Sequence, residues 1–169
     1  QSLKQQDYHH AFIYGEKLFT LNPKIEKLYD TLINIIAKTR NWNQLTVFTD
    51  KAYANKIIKK EEAYENKSIA LYEIAKVKMK SDAKEAINLI EKAITMKKNF
   101  PPYIKLYLEI LFSIKNISKI QRVLKKYWND LPSAVLRLSV TDVLKENKIS
   151  EIGFVKNIIA KNQNNEESK

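Results

Sequence analysis

Asp7-Tyr8-His9-His10-Ala11, followed by Leu18-Phe19-Thr20-Leu21-Asn22-Pro23, sets the register of the whole chain. The stretch reads as one arm of a helical hairpin. Ala11 is small enough to let a second helix approach, and Pro23, twelve positions on, stops the helix. Working outward, the same position recurs. A step of 34 residues reaches Leu45, preceded by Asn41-Trp42, and a step of 41 reaches Ala86, preceded by Ser81-Asp82. Two further steps of 34 reach Ile120, preceded by Asn116-Ile117, and then Phe154. The longer step holds seven extra residues, about two helical turns, and the insertion is placed at residues 56–66.

The apolar residues between these pivots keep a helical rhythm. Tyr29, Leu32, Ile33 and Ile36 fall at i, i+3, i+4, i+7, and Ala83, Ala86, Ile87, Ile90, Ala93 and Ile94 do the same. Ile117, Ile120, Leu124, Tyr127, Trp128 and Leu131 form a third stripe. Residues 103–114 are apolar on nearly all sides, which predicts a helix buried between neighbours. Pro101-Pro102 opens that helix, because a first-turn N–H has no intrahelical partner to lose. Asn22-Pro23, Asn99-Phe100 and Leu131-Pro132 mark turns, and Ser81-Asp82 and Asn116 are expected N-cap regions. A single hairpin of this kind cannot bury both faces, so its neighbours must stack on it. The polar, aperiodic tail 162–169 is expected to be disordered.

Composition agrees with helices. Two glycines and four prolines leave few breakers, and 44% apolar residues are enough for a core. The chain has no cysteine, which removes disulfide scaffolds, thiolate catalysis and cysteine-held metals. The formal charge is +11, nearly all of it lysine; the arginines are Arg40, Arg122 and Arg137. A Lys, Ile and Asn bias of this kind is what an AT-rich genome produces without selection for anion binding. No run reaches the ~18 apolar residues of a membrane span. The chain opens on Gln1 without a signal peptide and is expected to be a piece of a longer protein, with an anchor upstream left open.

Catalytic constellations are not legible. His9 and His10 are the two histidines, and adjacent helical positions point about 100° apart, which does not suit one metal ion. Glu61, Glu62 and Glu65 sit among Lys59, Lys60 and Lys67, as on a solvated helix end rather than in a pocket that raises a carboxyl pKa. Gly15 and Gly153 lie alone inside helical patterns, so no phosphate-binding loop is present; Gly15 is read as a close helix contact. Lys97-Lys98-Asn99-Phe100 and Lys125-Lys126-Tyr127-Trp128 pair cations with aromatics, but Tyr127 and Trp128 continue an apolar stripe, which favours core packing over base stacking. No catalytic, cofactor-binding or metal-binding residue is assigned.

The period and its helical faces resemble tetratricopeptide-repeat proteins. Over roughly residues 5 to 160 the chain looks more narrowly like the C-terminal part of bacterial HemY-type proteins. Arg40-Asn41-Trp42 closes a hairpin where that family often has Arg-x-x-Trp, and Lys98-Asn99-Phe100-Pro101-Pro102 opens a helix after a repeat. Trp128 with Pro132 resembles the family's Trp-x-x-x-Pro-His-Pro element, although Ser133 and Ala134 stand where its His and Pro would be. The resemblance implies no catalytic residues. It implies a parent anchored in the bacterial inner membrane and linked to haem biosynthesis; the side is left open with the cytoplasmic face favoured, and a cytoplasmic protein is the alternative.

The expected fold is therefore all-α: a right-handed solenoid of stacked antiparallel hairpins, about nine helices over residues 1–161. The expected function is a scaffold that holds a partner polypeptide in its concave groove, without cofactor and without catalysis. The repeat template puts Lys27, Thr31, Asn34 and Lys38 on that face of one hairpin, and Lys105, Glu109 and Phe112 on another. The alternative is non-specific binding of nucleic acid or anionic lipid through the lysine surface, which would weaken steeply with salt.

Overall fold

The computed structural model describes residues 3–25 and 27–127. All regular structure in them is α-helical: α1 (Leu3–Leu21), α2 (Leu28–Thr39), α3 (Trp42–Ala54), α4 (Lys60–Lys78), α5 (Ala83–Met96), α6 (Pro101–Ser113) and α7 (Ile117–Tyr127). Seven helices thus stand among the described residues, where nine were expected for residues 1–161. The pivot at Phe154, the stripe residues Trp128 and Leu131 and the polar tail lie outside the described residues. The chain divides into two compact units, Gln1–Ile74 and Ala75–Lys169.

In the first unit α1 packs on α2 and α2 on α3. The turn between α2 and α3 takes two residues. Arg40 adopts a left-handed φ of 54°, its N–H donating to the Ala37 carbonyl, while the Asn41 N–H reaches back to Ile36 at 3.2 Å. Those bonds satisfy carbonyls that a helix end otherwise leaves open. Asn41 then caps α3, its Oδ1 accepting from the Gln44 N–H at 3.3 Å. The core is aromatic. Phe48 stacks on Tyr29 (5.7 Å between centroids, 18°), meets Phe12 edge-on at 6.0 Å and lies 4.8 Å from Phe19. Leu32, Ile36, Leu45 and Ala52 complete it, and Ala63 and Ala70 bring α4 onto the same cluster. Gly15 is the close helix contact its setting suggested: a Cβ there would lie 2.6 Å from Leu32 Cδ2.

In the second unit α5 packs on α6 and α6 on α7. Asp82 caps α5 by accepting from the Glu85 N–H at 2.9 Å, and Pro101-Pro102 open α6. Eight of the 13 residues of α6 are buried, among them Tyr103, Ile104, Leu111 and Phe112. The α6–α7 turn repeats the α2–α3 turn. Lys115 has φ 55°, the Asn116 N–H donates to Leu111 at 2.9 Å, and Asn116 Oδ1 accepts from the Lys119 N–H at 3.1 Å. Each such Asn or Asp cap is worth about 0.5–2 kcal/mol against Ala.

The repetition extends beyond the turns. An offset of 75 residues carries Ala11 to Ala86, Arg40 to Lys115 and Asn41 to Asn116. Under it, the buried Phe12, Phe19, Tyr29, Leu32, Ile36, Leu45, Phe48, Thr49 and Ala52 map onto Ile87, Ile94, Ile104, Tyr107, Leu111, Ile120, Val123, Leu124 and Tyr127, which are all buried too. Two helical trios therefore share one inward-facing pattern. The outward side differs: Ala86 is buried, whereas its counterpart Ala11 is exposed along with Tyr14, Leu18 and Leu21. In the first unit α1 turns Phe12 and Phe19 inward and leaves Ala11 exposed. The long step between Leu45 and Ala86 falls on the five-residue α3–α4 connection and on α4, whose 19 residues exceed the 12 of α2.

Candidate functional site

Lys27, Thr31, Asn34 and Lys38 form one exposed stripe along α2 and the residue before it. Lys27 has a left-handed φ of 60°, and its carbonyl accepts both the Thr31 N–H (3.0 Å) and the Thr31 hydroxyl (2.8 Å). The Thr31 proton is thus spent on the helix, leaving its oxygen as an acceptor. The Lys38 ammonium lies 5.4 Å from the centroid of the Tyr8 ring. Lys27 also borders an open hollow of about 430 Å³ beside Lys24, Lys56, Tyr29, Asp30 and Glu62. Tyr29 Oη accepts from Asn66 Nδ2 at 2.7 Å, and burial, then the nearby Glu62 carboxylate, push its phenol well above the ordinary tyrosine range.

On α6 the three expected residues grade from surface to core. Lys105 is exposed, Glu109 is half-buried, and the two pair at 3.8 Å across one turn. Phe112 is 7% exposed and packs inward, so it offers almost no surface to a ligand. The apolar character that marked Phe112 as a groove residue is used by the core of its own unit. The two expected sets lie in different units.

A cleft that the sequence reading did not single out lies within the second unit. Its volume is about 340 Å³, with Glu91, Ile94 and Thr95 of α5 on one side, Lys119, Arg122, Val123, Lys126 and Tyr127 of α7 on the other, and Tyr107 of α6 between. Tyr107 donates its hydroxyl to Glu91, and Lys119 Nζ sits 2.9 Å from the same carboxylate. Burial would raise the Glu91 carboxyl; the hydrogen bonds from Tyr107 and Lys119, with the charges of Lys119 and Lys126, outweigh it and hold the group below its ordinary value. Burial and the same carboxylate push the Tyr107 phenol well up. Arg122 carries no ion pair among the described residues, and Lys126 lies 5.0 Å from the centroid of the Tyr127 ring. Tyr127 is buried, as its place in the apolar stripe required; Trp128 lies outside the described residues. The legible signal was α7 itself, with four cations and no Asp or Glu in 11 residues.

His9 and His10 are both exposed on α1, with ring centroids 6.2 Å apart. Among the described residues no three acidic or histidine side chains gather where a metal ion could sit, and no helix is long and apolar enough to cross a membrane. Compared with known proteins, the chain matches no family model and no curated protein.

Proposed function

We propose that the chain is a tetratricopeptide-type scaffold that holds a partner polypeptide along the exposed face of α2. The observation that carries this reading is the 75-residue internal correspondence, with the same buried positions and the same capped turn in both trios. Stacked helical hairpins of that kind present concave surfaces as their main binding feature. On α2 the stripe combines two ammonium groups, an amide and a hydroxyl oxygen that are open to solvent. Such a lining suits backbone carbonyls and carboxylates of an extended segment. A right-handed superhelix, nine helices in all, and a parent held at the bacterial inner membrane and linked to haem biosynthesis are the wider form of the proposal. They rest on the HemY-type resemblance.

The test places a photo-crosslinking amino acid at Asn34, with Lys84 as the outer control, in the full-length protein. The partner identified in this way is then titrated against Lys27→Glu/Lys38→Glu and against Lys84→Glu/Lys92→Glu. Loss of at least about tenfold in the first pair alone is expected. Equal losses in both pairs, erased by salt, would replace the groove with general attraction to the basic surface.

A further inference from the structure

The charged positions that line the cleft between α5 and α7 have sequence counterparts in the first unit, and the charges there differ. The 75-residue offset maps Glu91 onto Glu16, Thr95 onto Thr20 and Lys126 onto Lys51. In the first unit one carboxylate meets one cation, Glu16 and Lys51 at 2.5 Å, while Gln44 and Val47 occupy the remaining positions. In the second unit those positions are Lys119 and Arg122. Lys119 takes Glu91, and Arg122 and Lys126 remain beside it. Position 50 adds to the contrast: Asp50 pairs with Lys67 at 2.8 Å, while its counterpart Lys125 is an exposed cation. The first unit keeps the same buried positions with neutral residues at these two places, so the pattern does not require the extra cations. Like charges three and four positions apart on a helix lower its stability. A uniform lysine bias would also have loaded α3, which holds one Asp and one Lys.

We propose that this cleft is a docking site for an acidic segment of a partner protein, distinct from the α2 face. One carboxylate sits between Arg122 and Lys126, the exposed cations that rim the cleft over the covered Ile94 and Val123. The charge pattern favours this occupant over a nucleic acid. Glu91 is a fixed negative charge inside the cleft, tolerable beside a single carboxylate but opposed to a continuous phosphate backbone. The rings of Tyr107 and Tyr127 are 5% and 8% exposed, so neither presents a face for base stacking. A guanidinium suits the bidentate geometry of a carboxylate. A cleft of about 340 Å³ accommodates one or two side chains, not a folded surface.

The experiment uses the whole chain and a fluorescent peptide of mixed Glu and Gly, with an oligothymidylate of similar charge as the second probe. Lys119→Gln/Arg122→Val installs the residues of the first unit at the same positions. The variant loses the Lys119–Glu91 pair, so it is expected to stay folded with a slightly lower melting temperature and to bind the peptide about tenfold more weakly or worse. Lys84→Gln/Lys92→Gln removes the same charge elsewhere on α5 and is expected to stay within about twofold of wild type. Glu91→Gln frees Lys119 and is expected to tighten the peptide about threefold. Equal weakening in both charge-removal variants overturns the site, as does an absence of peptide binding. Tighter binding of the oligothymidylate, with the same dependence on Arg122, overturns the acidic segment in favour of nucleic acid.

Discussion

The trios α1–α3 and α5–α7 share a skeleton of buried positions and a capped turn, yet they use different chemistry at corresponding places. The first unit centres on Phe48, ringed by Phe12, Phe19 and Tyr29. The second has Val123 at that register and fills its interior with the aliphatic residues of α6. The first leaves the Ala11, Leu18 and Thr31 side open, whereas Ala86, Ala93 and Leu106 at the matching positions are buried. The difference teaches that the repeat specifies an inward face and a turn, while everything outside that face is free to change. Function is to be sought on what changed.

Core truncation gives the largest expected effect and tests whether the centres are unequal. Phe48→Ala should cost about 3–5 kcal/mol, because a large ring and its three aromatic contacts are lost. Val123→Ala, at the same register, removes two methyl groups and should cost at most about half as much. Urea titrations of both variants measure this, and equal losses would break the claim of different centres.

The next effect concerns close approach. Gly15 lets α1 meet Leu32, and Ile90 fills the matching place on α5. Gly15→Ala gains up to ~1 kcal/mol of helix propensity but forces Leu32, which is fully buried, to move, at about 1–3 kcal/mol. A net loss of about 1 kcal/mol is expected in the thermal midpoint, and a gain would show that Leu32 relaxes freely.

A comparable but opposite change is expected at Thr49. Its hydroxyl is fully buried without a hydrogen-bond partner among the described residues, whereas the matching residue is Leu124. Thr49→Val keeps the shape and removes an uncompensated polar group, so a stabilisation of about 1 kcal/mol is expected by denaturant titration. Destabilisation would mean that the hydroxyl holds a bond that the geometry does not show.

The smallest effect is one of pH. The Glu91 carboxyl is held below its ordinary value of 4.5, so the folded state favours the ionised form. Its contribution is fully present above that value and fades as pH falls through the lowered one. Glu91→Gln should therefore lower the urea midpoint at neutral pH, with the gap closing as pH falls through the lowered value. A gap that persisted in acid would assign the loss to packing around Tyr107 rather than to charge.

Much of the skeleton was legible in the chain. Apolar stripes at helical spacing located the faces of α2, α5 and α7, Pro101-Pro102 marked the opening of α6, and Asp82 and Asn116 signalled caps. The candidate stripe on α2 was legible for the same reason, since one face of an amphipathic helix implies the other. Phe112 was not, because an apolar residue on a helix apolar all round does not announce which neighbour covers it. The α5–α7 cleft escaped too, because its carboxylate, phenol and ammonium come from three helices.

The sequence by itself determined that this protein is helical, where its described helices turn, and which side of most of them faces inward. Those properties depend on residues within a turn or two of each other, through periodicity, capping and chain stiffness. Only the tertiary structure decided that Ala11 stays exposed while Ala86 is buried, and that Glu91 is shared by Tyr107 and Lys119 while Arg122 has no carboxylate partner among the described residues. Those outcomes depend on which helices approach and how closely, and a polar side chain takes the partner that packing brings within hydrogen-bond reach.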